Sequence, residues 1–257
     1  MNKKSIKLNY KDTEILISSN IRENSDNWII CLHGLQTNKS MYNPIFSVSD
    51  LNKYSILALD FVGFGDSSKP EHFSYSLGDQ TEIILKIIKN IKPKKLNLIG
   101  HSLGGMIGTL LLEKTNINSF INLEGNLIFQ DCGASNEVNQ LRFDEFQHKY
   151  YPQLKKELKN SKTYNAILRS SSLEKIPDFV FFKSSQSIVK LSKSNLLKKF
   201  IELPDNKLYI YGDKNKEKIN SLPKNFETAS IKNSGHFMLL DNPQESLKKI
   251  IEFLKKN

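Results

Sequence analysis

The sequence predicts a doubly wound, mostly parallel α/β fold that carries a helical insertion, and three observations predict it. Short continuous apolar runs recur along the chain, each closing on a small or polar residue. Amphipathic helical patterns lie between them, and one long stretch breaks the alternation. Strands buried on both faces read as unbroken apolar runs rather than alternating ones. Strands alternating with helices build an open α/β sheet whose ligand site lies at the carboxyl ends of the strands.

The elements follow in order. Ser5 to Asn9 and Glu14 to Ser18 alternate polar and apolar residues and read as two strands joined by a turn at Lys11-Asp12. Five apolar runs follow: Trp28 to Leu32 ahead of His33-Gly34, Tyr54 to Leu59 ahead of Asp60, Leu96 to Ile99 ahead of Gly100, Phe120 to Leu123 ahead of Glu124, and Lys207 to Tyr211 ahead of Gly212-Asp213. Glu227 to Ile231 is the expected last strand. Leu77 to Ile91 repeats isoleucine at Ile83, Ile84, Ile87, Ile88 and Ile91, the stripe of one helix face. Leu103 to Lys114 and Gln244 to Lys255 are the other helical patterns flanking the sheet.

From Leu127 to Pro204 no parallel strand is evident, and aromatics accumulate instead: Phe143, Phe146, Tyr150, Tyr151, Tyr164, Phe179, Phe181 and Phe182. The favoured division is a core of residues 1–126 and 205–257 with a helical cap over 127–204. Extra helices packed on the sheet edge are the alternative.

Bulk composition bounds the function. The chain has 257 residues, 39% of them hydrophobic, enough for one full core. Its longest apolar runs are strand-sized, far short of the ~20 residues of a spanning helix, so no integral membrane segment is expected. Met1-Asn2-Lys3-Lys4 leads into an alternating pattern rather than the unbroken apolar run of a secretory leader, which points to a cytoplasmic protein. Cys31 and Cys132, the two cysteines, form no metal-binding spacing; a single disulfide between them stays open, and no metal or cofactor is expected.

The net charge of +10 invites a nucleic-acid reading, but only Arg22, Arg142 and Arg169 are arginine and the lysines are dispersed. Groove readers lean on arginine for base edges, and no aromatic-basic motif is present. A solvated basic surface with no nucleic-acid partner is the expectation.

Gly100-His101-Ser102-Leu103-Gly104 matches G-x-S-x-G. A serine is a poor nucleophile unless held in the open beside a base. A sharp strand-to-helix turn does this, and glycines let the backbone segments of that turn approach closely. The following helix then aims its first N–H groups at a developing oxyanion. Alone the string is weak; here it follows an apolar strand and precedes a helical pattern, the setting the chemistry demands.

Four blocks in order then resemble the α/β-hydrolase superfamily, in a likeness that covers essentially everything but the cap: Leu32-His33-Gly34-Leu35, Asp60-Phe61-Val62-Gly63-Phe64-Gly65-Asp66-Ser67, the turn around Ser102, and Ser234-Gly235-His236-Phe237 before the last helix. The resemblance implies that Leu35 and Leu103 supply the oxyanion-hole N–H groups and that His33 shapes its loop rather than carrying protons. Asp60 to Ser67 is expected to be a glycine-dependent turn. It lacks the third glycine of a dinucleotide fingerprint, and Lys69-Pro70 follows it where such a site would open a helix.

Of five histidines, His236 is the expected general base, after the small-residue turn Asn233-Ser234-Gly235. His101 is expected beside the nucleophile, and His72 and His148 in loop and cap. The acid is less direct. Family members commonly carry it three residues beyond the glycine that follows the strand ending here in Tyr211, a position held by Asn215. Asp213 falls two residues early. Other members take the acid from the preceding strand, where Glu124 stands, and an unpaired carboxylate at a buried strand end would be costly. Glu124 is therefore favoured, with Asp213 the alternative.

Serine at the elbow resembles esterases, lipases and thioesterases rather than the elbow-aspartate dehalogenases and epoxide hydrolases. The function expected is hydrolysis of a small-molecule carboxylic ester or thioester through Ser102, His236 and Glu124. The aromatic cap suggests a small to medium apolar acyl part. Carbon–carbon bond hydrolysis or haloperoxidase-like chemistry would use the same dyad, and a non-enzymatic ligand-binding protein of this fold is a further alternative. Nothing in the sequence bears on oligomeric state.

Overall fold

A computed structural model describes residues 1–202, 206–219, 222, 223 and 226–257. Its centre is an eight-stranded sheet in the order β1-β2-β4-β3-β5-β6-β7-β8. The hairpin β1 (Asn2–Tyr10) and β2 (Thr13–Arg22) is antiparallel and longer than the sequence pattern implied. Lys11 and Asp12 take φ 46° and 60°, the doubly left-handed two-residue turn that matches strand twist. β2 joins β4 (Ser55–Leu59) antiparallel. β3 (Asn27–Leu32), β5 (Lys95–His101), β6 (Ser119–Leu123), β7 (Lys207–Gly212) and β8 (Glu227–Ile231) then continue in parallel pairing.

The unbroken apolar runs are explained by two cores. Ile30, Leu32, Leu57, Leu59, Leu98 and Phe120 point into one, while Ile29, Cys31, Ile56, Ala58, Ile99 and Ile121 point into the other. Successive strand residues face opposite sides, so both parities must be apolar. The first core takes α1 (Leu77–Ile91) and α2 (Leu103–Leu111); the second takes α10 (Met238–Asp241) and α11 (Pro243–Lys256). α1 begins where Ser76 Oγ accepts the Asp79 N–H and ends at Lys92 with φ 52°. α2 stops at Leu111, short of the Lys114 end its pattern suggested.

Between β6 and β7 the described residues hold helices alone: α3 (Gly133–Asn139), α4 (Phe143–Glu145), α5 (Tyr151–Asn160), α6 (Tyr164–Leu173), α7 (Asp178–Ser192) and α8 (Leu196–Glu202). The expected boundary at 204/205 lies outside the described residues. α8 packs against the sheet, with the Phe200 ring 5.9 Å from Phe120 and 6.1 Å from Tyr209. The aromatics of this stretch mostly meet one another: Phe146 stacks with Tyr151 at 5.2 Å and with Phe181 at 5.8 Å. α9 (Lys216–Ile219) follows β7.

Candidate active site

The parallel strands deliver the site at their carboxyl ends. Ser102 follows β5 with φ 52° and ψ −116° and caps α2 from a backbone conformation that L-residues rarely hold. Strain of this kind costs roughly 1–3 kcal/mol and persists only when the surroundings enforce it. Here the Ser102 N–H is held by Leu123 O at 3.0 Å, which ties the turn to β6. Gly104 lies so close to the Leu32 carbonyl that any Cβ there would collide with backbone. The hydroxyl is thereby presented at the head of the helix with 9% exposure.

Glu124 follows β6, itself at φ 44°, and its N–H donates to Ile210 O at 3.0 Å. Its buried carboxylate receives four contacts: Gly212 N–H at 2.8 Å, Asn215 Nδ2 at 3.1 and 2.9 Å, and His236 Nδ1 at 2.9 Å. Burial pushes this carboxyl up, and the donors, His236 foremost, outweigh it and hold it below the usual glutamate value. The geometry brings Glu124, not Asp213, to the imidazole.

Asp213 is exposed, and its carboxylate accepts the N–H groups of Asn233 at 2.9 Å and Ser234 at 3.1 Å. Asp241 accepts the Gly235 N–H at 3.0 Å. Both acids brace the loop that carries His236.

Ser102, His236 and Leu35 line one cavity of about 240 Å³. Among the described residues no hydrogen bond joins Ser102 Oγ to the His236 ring. The N–H groups of Leu35 and Leu103 likewise take no acceptor within the described residues.

His101 is buried beneath the serine; its Nε2 donates to the His236 carbonyl at 2.8 Å, and burial pulls its pKa down to about 3. His33 is buried as well. Its Nδ1 donates to Gly34 O at 2.8 Å, its Nε2 accepts the Phe61 N–H at 3.1 Å, and burial pulls it down to about 4. Both rings are neutral near pH 7 and work as braces. The Asp60 block is a turn closed around a buried carboxylate, which takes Lys39 N–H at 2.8 Å, Lys39 Nζ at 2.5 Å and Asp66 N–H at 2.9 Å.

The sequence profile of the alpha/beta hydrolase fold family matches residues 27–243. The chain belongs to that family. Among the relatives of this α/β hydrolase are the mesoderm-specific transcript protein of Mus musculus and the uncharacterized hydrolase YugF of Bacillus subtilis (strain 168), each 29% identical over 92 residues, 35% of this chain. The match spans only 28% of the first and 33% of the second. Solved structures agree in fold over nearly the whole chain. One, from work on carboxylesterases of the thaumarchaeon Nitrososphaera gargenis, has a TM-score of 0.79 at 13% identity and covers 97% of this chain and 98% of that one. The bromoperoxidase of Bacillus anthracis has a TM-score of 0.76 at 17% identity, with 98% and 100% covered.

The cavity of this α/β hydrolase departs from one expectation. Among the described residues the cap aromatics do not line it; they are spent on packing one another. Its wall mixes polar side chains, Gln36, Asn126, Asp131, Ser135 and Arg169, with Leu35, Ala134 and Phe237. The aromatic count of the cap therefore does not report on the character of this cavity. Arg169, Gln36 and the Asn215 contact escaped sequence reasoning, because none sits in a motif. The available signal was compositional: in a chain rich in lysine, Arg169 is one of only three arginines.

Among the described residues no helix is long and apolar enough to cross a membrane. Cys31 and Cys132 are both buried as free thiols.

Proposed function

We propose that the protein is a serine hydrolase that cleaves a carboxylic ester or thioester with a small acyl part through an acyl-enzyme. One observation carries this reading: Glu124 Oε2 lies 2.9 Å from His236 Nδ1, in a site where His236 and Ser102 share one cavity. With Nδ1–H held by the carboxylate, the Nε2 lone pair is free to act as base. Ser102 Oγ attacks the carbonyl carbon while its proton passes to His236 Nε2. The carbonyl oxygen, now an anion, is received by the Leu35 and Leu103 N–H groups. Collapse breaks the carbon–oxygen or carbon–sulfur bond, and the imidazolium returns its proton to the leaving group. Water, deprotonated by the same imidazole, then releases the acid and restores Ser102.

Glu124 is assigned as the triad acid and Asp213 as a loop brace. Helices α3 to α7 are assigned as the cap over this site, with α8 returning to the core. Two unpaired buried thiols support a reducing, cytoplasmic setting.

The test is labelling by a fluorophosphonate, with a panel of p-nitrophenyl acyl esters and acyl thioesters run on wild type and Ser102→Ala. Labelling at Ser102 and loss of turnover in the variant are expected. An unlabelled wild type, or a variant as active as wild type, would sink the reading.

A further inference from the structure

The nucleophile's cavity holds a cation for which the hydrolytic steps have no use. Arg169, on α6, lines the same wall system as Ser102 and His236. Its Nε donates to Gln36 Oε1 at 2.9 Å, its Nη2 donates to the same oxygen, and its Cζ stands 4.3 Å from the Phe237 ring centre. These contacts orient the guanidinium without neutralising it. Among the described residues no carboxylate lies within 4.0 Å of its nitrogens. Asp241 attracts it from farther away and is already committed to Gly235 N–H at 3.0 Å and Asn165 Nδ2 at 2.8 Å. The carboxylate of Asp131, the acid in the cavity wall, accepts the N–H groups of Leu127 at 3.2 Å and Ile128 at 3.3 Å. Arg169 Nη1 takes no protein acceptor among the described residues and is not sealed from solvent.

A largely buried cation is costly unless an anion meets it. A guanidinium whose fork is held flat by an amide oxygen and an aromatic face is preorganised for a planar carboxylate. Lysine, which this chain otherwise prefers, would supply the charge without the fork. We propose that Arg169 receives a carboxylate on the substrate, so that the preferred ester or thioester is a small monoanionic one, such as the half-ester of a short dicarboxylic acid. The cavity of about 240 Å³ has room for such a short half-ester. The inference rests on the hydrolase reading above and deepens it.

The test compares monomethyl glutarate with dimethyl glutarate, which differ chiefly in that charge, and extends to the succinate and adipate half-esters. Wild type is expected to favour the monoester at least tenfold in kcat/KM, mostly through KM. In Arg169→Gln that ratio is expected to collapse towards one, with Arg169→Lys retaining part of it. A wild type that shows no preference, or an Arg169→Gln that slows both esters alike, overturns the proposal; the latter is what a mere brace for Gln36 and Leu35 would do. If Arg169→Gln does not fold, the wild-type ratio and Arg169→Lys decide.

Fluorophosphonate labelling at Ser102 reports separately on the hydrolase reading. Should no ester turn over, calorimetry with the same two esters still decides the anion site. Binding of the monoester that Arg169→Gln abolishes supports it, and absence of binding to wild type overturns it.

Discussion

Replacing Glu124 by glutamine changes one atom and one charge, and the hydrogen bonds around it dictate the outcome. The carboxylate accepts on both oxygens: Gly212 N–H at 2.8 Å on Oε1, His236 Nδ1 at 2.9 Å on Oε2, and Asn215 on both. An amide has one oxygen to offer. If that oxygen stays with Gly212, the NH₂ faces His236 Nδ1, and the imidazole must move its proton to Nε2, where it cannot take the serine proton. If the amide flips, His236 keeps its tautomer but NH₂ faces the buried Gly212 N–H, leaving a donor unsatisfied at about 1–3 kcal/mol. The unproductive orientation is therefore favoured by roughly five- to 150-fold before any loss of charge is counted. Losing the anion that stabilises the imidazolium adds to this, and the analogous acid-to-amide change in a Ser-His-Asp protease costs about 10⁴ in kcat. Glu124→Gln is expected to lower kcat by about 10³–10⁴, or about 4–5.5 kcal/mol, with little change in KM. Initial rates on a p-nitrophenyl ester, beside Asp213→Asn in parallel, measure it. Retention of more than about a tenth of wild-type kcat in Glu124→Gln, or the large loss appearing in Asp213→Asn alone, would refute the reasoning.

Three further outcomes follow from the same geometry. His33 and His101 are buried neutral with values near 4 and 3, so between about pH 6.5 and pH 4 the unfolded chain binds protons that the folded one does not. Stability should fall as pH drops through that window by up to about 1.4 kcal/mol per pH unit for each ring, measured as urea midpoints, with His101→Gln showing about half the slope. Lys39→Met leaves the buried Asp60 carboxylate without its cation at 2.5 Å and should cost about 3–5 kcal/mol, read by urea unfolding; a loss below 1 kcal/mol would contradict a buried pair. Gly104→Ala drives a Cβ into the Leu32 carbonyl and should abolish activity together with folding or with the Ser102 turn, which circular dichroism and fluorophosphonate labelling distinguish.

The sheet was legible because each parallel strand must satisfy two cores. Trp28 to Leu32 has no polar parity to hide and is too short for a helix ahead of His33-Gly34, so it reads as a strand covered on both faces. The elbow was legible because its turn needs Gly100 and Gly104 at fixed offsets from Ser102. Glu124 was legible by a different route, as a charge in a place that tolerates none unpaired. The cap resisted. Its aromatics announce a hydrophobic cluster, but sequence does not say whether that cluster faces a ligand or itself, and here Phe146, Tyr151 and Phe181 face one another. Arg169 resisted for the opposite reason: what matters is that no carboxylate pairs with it among the described residues, and no local pattern records that.

Asn215 stands where the family resemblance led us to expect an acid, and it touches the carboxylate that comes from the neighbouring strand. Glu124 meets the imidazole directly, and Asn215 meets Glu124 from the next strand. The anionic partner of His236 is thus a carboxylate from β6 that a side chain following β7 helps to hold. A carboxylate at one position and an amide at the other keep one negative charge between them, where two acids would repel and two amides would leave none. The charge beside His236 is therefore held by two neighbouring strands together, and a change at residue 215 would act on the imidazole through Glu124.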